Sequence, residues 1–220
     1  MNFWAKELAD VGWASLLIDS HGPRGLDQLQ AWRLVCSGQA LSGAERAGDV
    51  AVALAALDGI EGVDGGHVAL LGASHGAWAA METIDRLGRE GPPPGLTAWP
   101  EARETAAGRL QGAVLLYPYC GLFNRAAEWE PTHAAVPVLM VLAGADTIVS
   151  TGDCEAAATH MARAGVPVRV RTLPGVDHGF DQRLHAAFST LEFDAAATTM
   201  AAELVTGFLA EPPVGGAKAP

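Results

Sequence analysis

Four short, nearly continuous apolar runs constrain what this chain can fold into: residues 13–18, 67–72, 113–117 and 136–143. Each is flanked or punctuated by Gly, Pro or Asp, and each is too short to make a buried helix. A strand with polar residues at every second position can face water on one side. A strand that is apolar throughout has to be covered on both faces, as in a parallel sheet between helices. Helical stretches follow most of the runs, at 42–57, 75–87, 152–164 and 193–209, with a shorter one at 3–11. In the first of these, Val50, Leu54 and Leu57 make one apolar stripe. Residues 168–173 alternate between valine and arginine, which predicts a sheet-edge strand. Gly91-Pro92-Pro93-Pro94-Gly95 cannot be helix or central strand, so residues 91–108 are expected to form a loop or small insertion. The pattern predicts an α/β fold, a mostly parallel sheet with helices on both faces. One domain is expected over residues 1–211, followed by a Gly/Pro-rich flexible tail at 212–220.

In such sheets ligands sit at the carboxyl ends of the strands. Run 67–72 leads into Gly72-Ala73-Ser74-His75-Gly76, a G-x-S-x-G pattern between a strand and a helix. The sharp turn lifts the serine hydroxyl above the sheet, and small residues on either side avoid collisions there. The backbone N–H of His75 would point at a developing oxyanion from the helix N-terminus. A glycine-rich turn with a capping serine has the same bare pattern; the strand before and the helix after favour the nucleophile. Run 136–143 is followed by Gly144-Ala145-Asp146, and run 168–173 by Asp177-His178-Gly179-Phe180. An aspartate there could be a helix cap and the histidine a surface residue. Yet Ser74, Asp146 and His178 each follow their own strand, in the chain order of an α/β-hydrolase triad. Ser74 is thus expected as nucleophile, His178 as general base and Asp146 as the acid that orients it. Asp153 better suits the cap of the next helix.

Composition narrows the partners. The net charge is -11 and the pI is near 4.9, without the basic footprint of a nucleic-acid-binding protein. No run of 18 apolar residues marks a membrane span. The N-terminus lacks a basic start followed by an apolar stretch, which suggests the cytoplasm. No His, Asp and Glu cluster has metal-ligand spacing, so neither metal nor cofactor is expected. The expected partner is a small-molecule ester or lactone, and a homo-oligomer is compatible with the sequence. Cys120 and Cys154 follow two strands that could be neighbours, and a disulfide between them requires Cα atoms within about 7 Å. Free buried thiols are the expectation for a cytosolic protein, with Cys36 left over. Arg24 and His21 are candidate substrate-binding residues, although an arginine at Arg24 more commonly ties down its own loop. His75, His133 and Trp99 are further candidates for the pocket lining.

The sequence resembles the dienelactone hydrolase branch of the α/β-hydrolases. The resemblance is carried by Leu17-Ile18-Asp19-Ser20-His21-Gly22-Pro23-Arg24-Gly25, by the segments around Ser74, Asp146 and His178, and by Tyr117-Pro118-Tyr119-Cys120-Gly121. It implies an α/β-hydrolase fold and a hydrolase acting through an acyl-enzyme. The family's namesake has a cysteine nucleophile where this chain has Ser74, which directs the expectation to a serine esterase or lactonase. Thioester or peptide cleavage, or a catalytically weak or inactive binding protein of the same fold, are the alternatives. The family's fold also begins with strands before its first helix, one of which leads to a second oxyanion donor. This chain starts at that helix, so a slot is expected between residues 13–18 and 67–72. A missing N-terminal segment is the expected reason, and such a segment could carry a signal for the periplasm or secretion. A strand from a partner chain, or direct pairing of the two flanking runs, would be the other ways to fill the slot.

Overall fold

The computed structural model describes residues 2–31, 35, 40–125, 128–129, 136–183 and 191–211. The predicted tail at 212–220, Cys36 and His133 lie outside the described residues.

Helix α1 spans Asn2–Ala9 and α2 spans Gly43–Ala56. A capping box starts α2: the Ser42 side chain accepts from the Glu45 N–H, and the Glu45 carboxylate accepts from the Ser42 N–H at 2.7 Å. Strand β1 is Val68–Ala73, and α3, His75–Gly88, begins one residue after Ser74. The short helix α4, Arg103–Arg109, runs directly into β2, Leu110–Leu116. Strand β3 is Val138–Ala143, followed by α5, Thr151–Arg163, β4, Val168–Leu173, and α6, Ala195–Leu209. Helix α4 falls within the stretch expected to be loop. It has only seven residues, and Ala106 is its one buried apolar side chain, so no helical period precedes it in the sequence.

The strands form one parallel sheet in the order β1-β2-β3-β4. Alternation along β2 and β3 divides the core into two layers. Ala113, Leu115, Val138, Met140 and Leu142 pack with residues of α2, α3 and α5, among them Leu54, Met81, Ile84 and Met161. Val114, Leu116, Leu139 and Val141 pack on the other face with Trp4 of α1 and with Ala201, Val205 and Phe208 of α6. Helices on both faces are what the continuous apolar runs require. Strand β4 is an edge, and the exposed Arg169 and Arg171 alternate with the partly buried Val168 and Val170.

Two expectations are corrected. Residues 13–18 are not a strand, and they do not pair directly with β1. A strand exists only through hydrogen bonds to a neighbour. Between this segment and β1 lies a groove of about 600 Å³, lined by Leu16, Ile18, Leu54, Leu70 and Leu71 among others. Leu16, Leu17 and Ile18 are consequently exposed. The second correction is that Cys120 and Cys154 form a disulfide, with Cα atoms 5.1 Å apart. The register of β2 against β3 brings the loop after β2 beside the start of α5, an adjacency that spacing alone does not decide. Closing a loop of 34 residues stabilises a fold by roughly 3–4 kcal/mol in the chain-entropy model. At about 2–4 °C per kcal/mol for a chain of this size, reduction is expected to lower Tm by about 10 °C. Thiol titration of the denatured, unreduced protein should find one free thiol; three would remove the disulfide and its share of stability.

Candidate active site

The site is built where β1, β3 and β4 end. Ser74 has φ 51° and ψ -117°, a conformation that costs a non-glycine residue about 1–3 kcal/mol. The surroundings hold it there. The Ser74 N–H donates to Leu116 O at 2.9 Å, and Ser74 O accepts from the N–H groups of Ala77, Trp78 and Tyr119 at 3.0–3.2 Å. A Cβ on Gly72 would lie 2.4 Å from Gly76 O and 2.6 Å from Ala77 N, so strand and helix approach closely because residue 72 has no side chain. Gly76 differs, since a Cβ there would meet only Arg46 Nη2 at 3.9 Å.

The β3–β4 ladder continues beyond the strands. Gly144 N–H donates to Leu173 O and Ala145 N–H to Val176 O, at 2.8 and 2.9 Å. These bonds set the two following loops side by side. His178 Nδ1 lies 2.7 Å from Asp146 Oδ2, and His178 Nε2 lies 2.8 Å from Ser74 Oγ. An ionised carboxylate only accepts hydrogen bonds, so the Nδ1 proton faces Asp146 and Nε2 faces the serine hydroxyl. Both side chains of the histidine–aspartate pair are about 95% buried, the accessible fraction being 5% for each. Asp146 Oδ1 accepts from the N–H groups of Ile148 and Val149 at 2.9 and 2.8 Å, which fixes the carboxylate plane.

Asp177 joins the same two loops. Its carboxylate accepts from Thr147 N–H at 2.7 Å, from the Thr147 hydroxyl at 3.0 Å and from His178 N–H at 2.6 Å. Burial raises its carboxyl pKa, but these donors and the nearby imidazole outweigh that and hold it below the usual range. The sequence places Asp177 beside His178 but does not reveal this brace, because Thr147 is thirty residues away.

His75 is the first residue of α3, and its N–H has no intrahelical acceptor. Its side chain is buried against Trp78, with ring centroids 4.9 Å apart, and its Nδ1 lies 3.0 Å from Arg46 Nη1. Its Nε2 has no hydrogen-bond partner among the described residues. Burial, followed by the Arg46 cation, lowers its pKa to about 4. That lies below the unfolded value of about 6.5, so the unfolded chain binds the proton more readily. The stability contributed by neutral His75 is complete above about pH 6.5 and is lost as pH falls toward 4. The loss is about 3 kcal/mol. Thermal melts from pH 7 to 4 should therefore fall more steeply for the parent than for His75→Gln; equal slopes would show that His75 titrates alike in both states.

The substrate candidates are placed differently. Arg24 makes a two-bond ion pair with Asp49 of α2, both bonds 2.9 Å, and donates to Ser20 O at 2.8 Å. Its guanidinium fastens the turn at residues 20–25 to α2. His21 is partly buried, and burial followed by the Arg46 cation lowers its pKa. Trp99 donates to Gly91 O at 2.9 Å within its own loop. Arg46 was not among the sequence candidates; as the fourth residue of α2, it looks like any exposed helix arginine until α2 packs on α3.

A model described as the dienelactone hydrolase family matches residues 95–212, more than half of the chain. The matched span includes Asp146 and His178. A dienelactone hydrolase-like promiscuous phosphotriesterase from metagenomic libraries superposes with a TM-score of 0.68 at 20% identity, over 94% of this chain and 78% of that one. The apo form of Thermogutta terrifontis esterase 2 gives 0.52 at 20% identity, over 78% and 67% respectively. At these identities the likeness is one of fold. No curated protein matches the chain.

Proposed function

The chain belongs to the dienelactone hydrolase family and is a hydrolase acting on ester bonds, and from that premise we propose that it cleaves a carboxylic ester or lactone through a Ser74–His178–Asp146 relay. The observation that carries this reading is the continuous pair of contacts on one imidazole, 2.8 Å to Ser74 Oγ and 2.7 Å to Asp146 Oδ2. His178 Nε2 removes the Ser74 proton as Oγ attacks the acyl carbon, since a serine hydroxyl alone is too weak a nucleophile. Asp146 keeps the proton on Nδ1 and stabilises the imidazolium. The His75 N–H donates to the oxyanion of the tetrahedral intermediate. His178 then returns its proton to the departing alkoxide. Water, deprotonated by the same imidazole, releases the acid from Ser74.

A small neutral ester fits this arrangement, because Arg24, the candidate for pairing with a substrate carboxylate, is engaged by Asp49. A fluorophosphonate probe tests the reading. It should label Ser74 in the parent and leave Ser74→Ala unlabelled, while p-nitrophenyl acetate is hydrolysed by the parent. Labelling at another residue, or none, would refute the relay. A series of p-nitrophenyl esters of increasing acyl length then measures the depth of the acyl site.

A further inference from the structure

Tyr117, the first residue after β2, does not continue the alternation of that strand. Successive side chains of a strand face opposite sides of the sheet, yet Leu116 and Tyr117 belong to the same core layer. The cause is backbone conformation: Tyr117 has φ 34°, in a region that bulky residues rarely occupy. Its N–H is held by Val141 O at 2.7 Å. The turn places the ring, only 1% exposed, edge-on to His178, with ring centroids 4.8 Å apart and planes at 64°. Phe180 packs on the same ring at 5.1 Å.

The hydroxyl of Tyr117 donates to Asp181 Oδ1. The other oxygen of Asp181 accepts from Trp4 Nε1 of α1 at 2.5 Å. Phe180 O accepts from Asp194 N–H at 2.9 Å and from the Thr198 hydroxyl at 3.1 Å, which ties the residue before Asp181 to the start of α6. Burial, followed by the charge of Asp181, raises the tyrosine pKa well above its ordinary value, so the hydroxyl remains a donor. His178 needs such a restraint. It lies between Gly175 and Gly179, both with positive φ, in a loop of high backbone freedom.

We propose that Tyr117 is a positioning residue for ester hydrolysis: its ring fixes the plane of the His178 imidazole, and its hydroxyl holds Asp181 of the histidine loop, whose other oxygen is held by Trp4. The proposal rests on the relay described above. Tyr117 touches no reacting atom and acts only through His178. A misplacement of about 1 Å between general base and nucleophile can cost on the order of 10²-fold in rate.

The experiment compares the parent with Tyr117→Leu, Tyr117→Phe and Asp181→Asn, using p-nitrophenyl acetate kinetics, fluorophosphonate inactivation rates and the downfield proton NMR signal of the His178 Nδ1–H. Tyr117→Leu should lose about 10–100-fold in kcat with KM within about threefold, and its NMR signal should broaden. Tyr117→Phe keeps the ring and should recover most of the rate and a sharp signal. Asp181→Asn should lie between them. The idea is overturned if the imidazole signal stays sharp in folded Tyr117→Leu, or if that variant loses KM and not kcat. Should Tyr117→Leu not fold, a probe rate and signal in Asp181→Asn equal to the parent's would overturn it instead. Failure of the underlying relay is separate: the parent would then take no label at Ser74, while the NMR comparison would still report whether Tyr117 holds the imidazole.

Discussion

Ser74→Ala is expected to lower kcat on p-nitrophenyl acetate by at least about 10⁴-fold, and His178→Ala by a similar factor. In the proposed relay, hydroxyl and imidazole act as one unit across a 2.8 Å contact, so either loss disables the whole nucleophile. The double variant should be no worse than either single one, because a unit can be broken only once. Asp146→Asn tests the third member. An amide can donate to Nδ1, which would place the imidazole proton on Nε2, where it blocks acceptance from Ser74; a loss of about 10⁴-fold is expected. Asp177→Asn is the control. Asp177 binds Thr147 and the His178 backbone rather than the ring, so a loss of about tenfold is expected. Equal losses in the two asparagine variants would make Asp146 a loop brace rather than the acid. His178→Ala with activity within tenfold of the parent would exclude the relay altogether.

Gly72→Ala should be strongly damaging, and Gly76→Ala close to neutral. Both residues belong to one G-x-S-x-G pattern, so the pattern alone treats them alike. The structure separates them. A methyl on Gly72 would sit 2.4–2.6 Å from backbone atoms of Gly76 and Ala77, and no flexible side chain can yield there. Relief requires the start of α3 to move away from β1, which carries Ser74 and the His75 N–H with it. Overpacking of this kind costs about 1–3 kcal/mol, sometimes more, and the shift of Ser74 should lower kcat by about 10²-fold. At Gly76 a methyl meets one arginine nitrogen at ordinary contact distance, and alanine in a helix gains up to about 1 kcal/mol over glycine. Denaturant melts with kinetics on both variants decide the matter. Similar behaviour of the two would mean that the close approach at Gly72 is not what holds the elbow.

Much of this architecture was legible in local patterns. The apolar runs at 67–72, 113–117 and 136–143 lie on β1, β2 and β3 to within a few residues, and the valine–arginine alternation marks β4 as an edge. Ser74, Asp146 and His178 could be named because each lies in the turn or loop that follows its own strand, and the fold brings the three within hydrogen-bonding distance. Residues 13–18 show where this reasoning ends. Their composition is that of a buried strand, but strand formation depends on a neighbour with free backbone groups, and β1 lies across a groove. The helix at Arg103–Arg109 was missed for a complementary reason. Its single buried alanine leaves no period to read, and it is supported by contacts outside itself, chiefly Arg109 on Asp58 and Glu101.

From its order of residues alone, the chain determined a parallel sheet between helices and the three side chains at its rim, because hydrophobic period and strand-end position are properties of neighbours in sequence. Tertiary structure decided that Cys120 meets Cys154, that Asp49 occupies Arg24, that Thr147 braces Asp177 and that Tyr117 turns toward His178. Each of these is a contact between groups remote along the chain. Its energy depends steeply on separation and orientation, and those are set only once the sheet has chosen its register and the helices have packed.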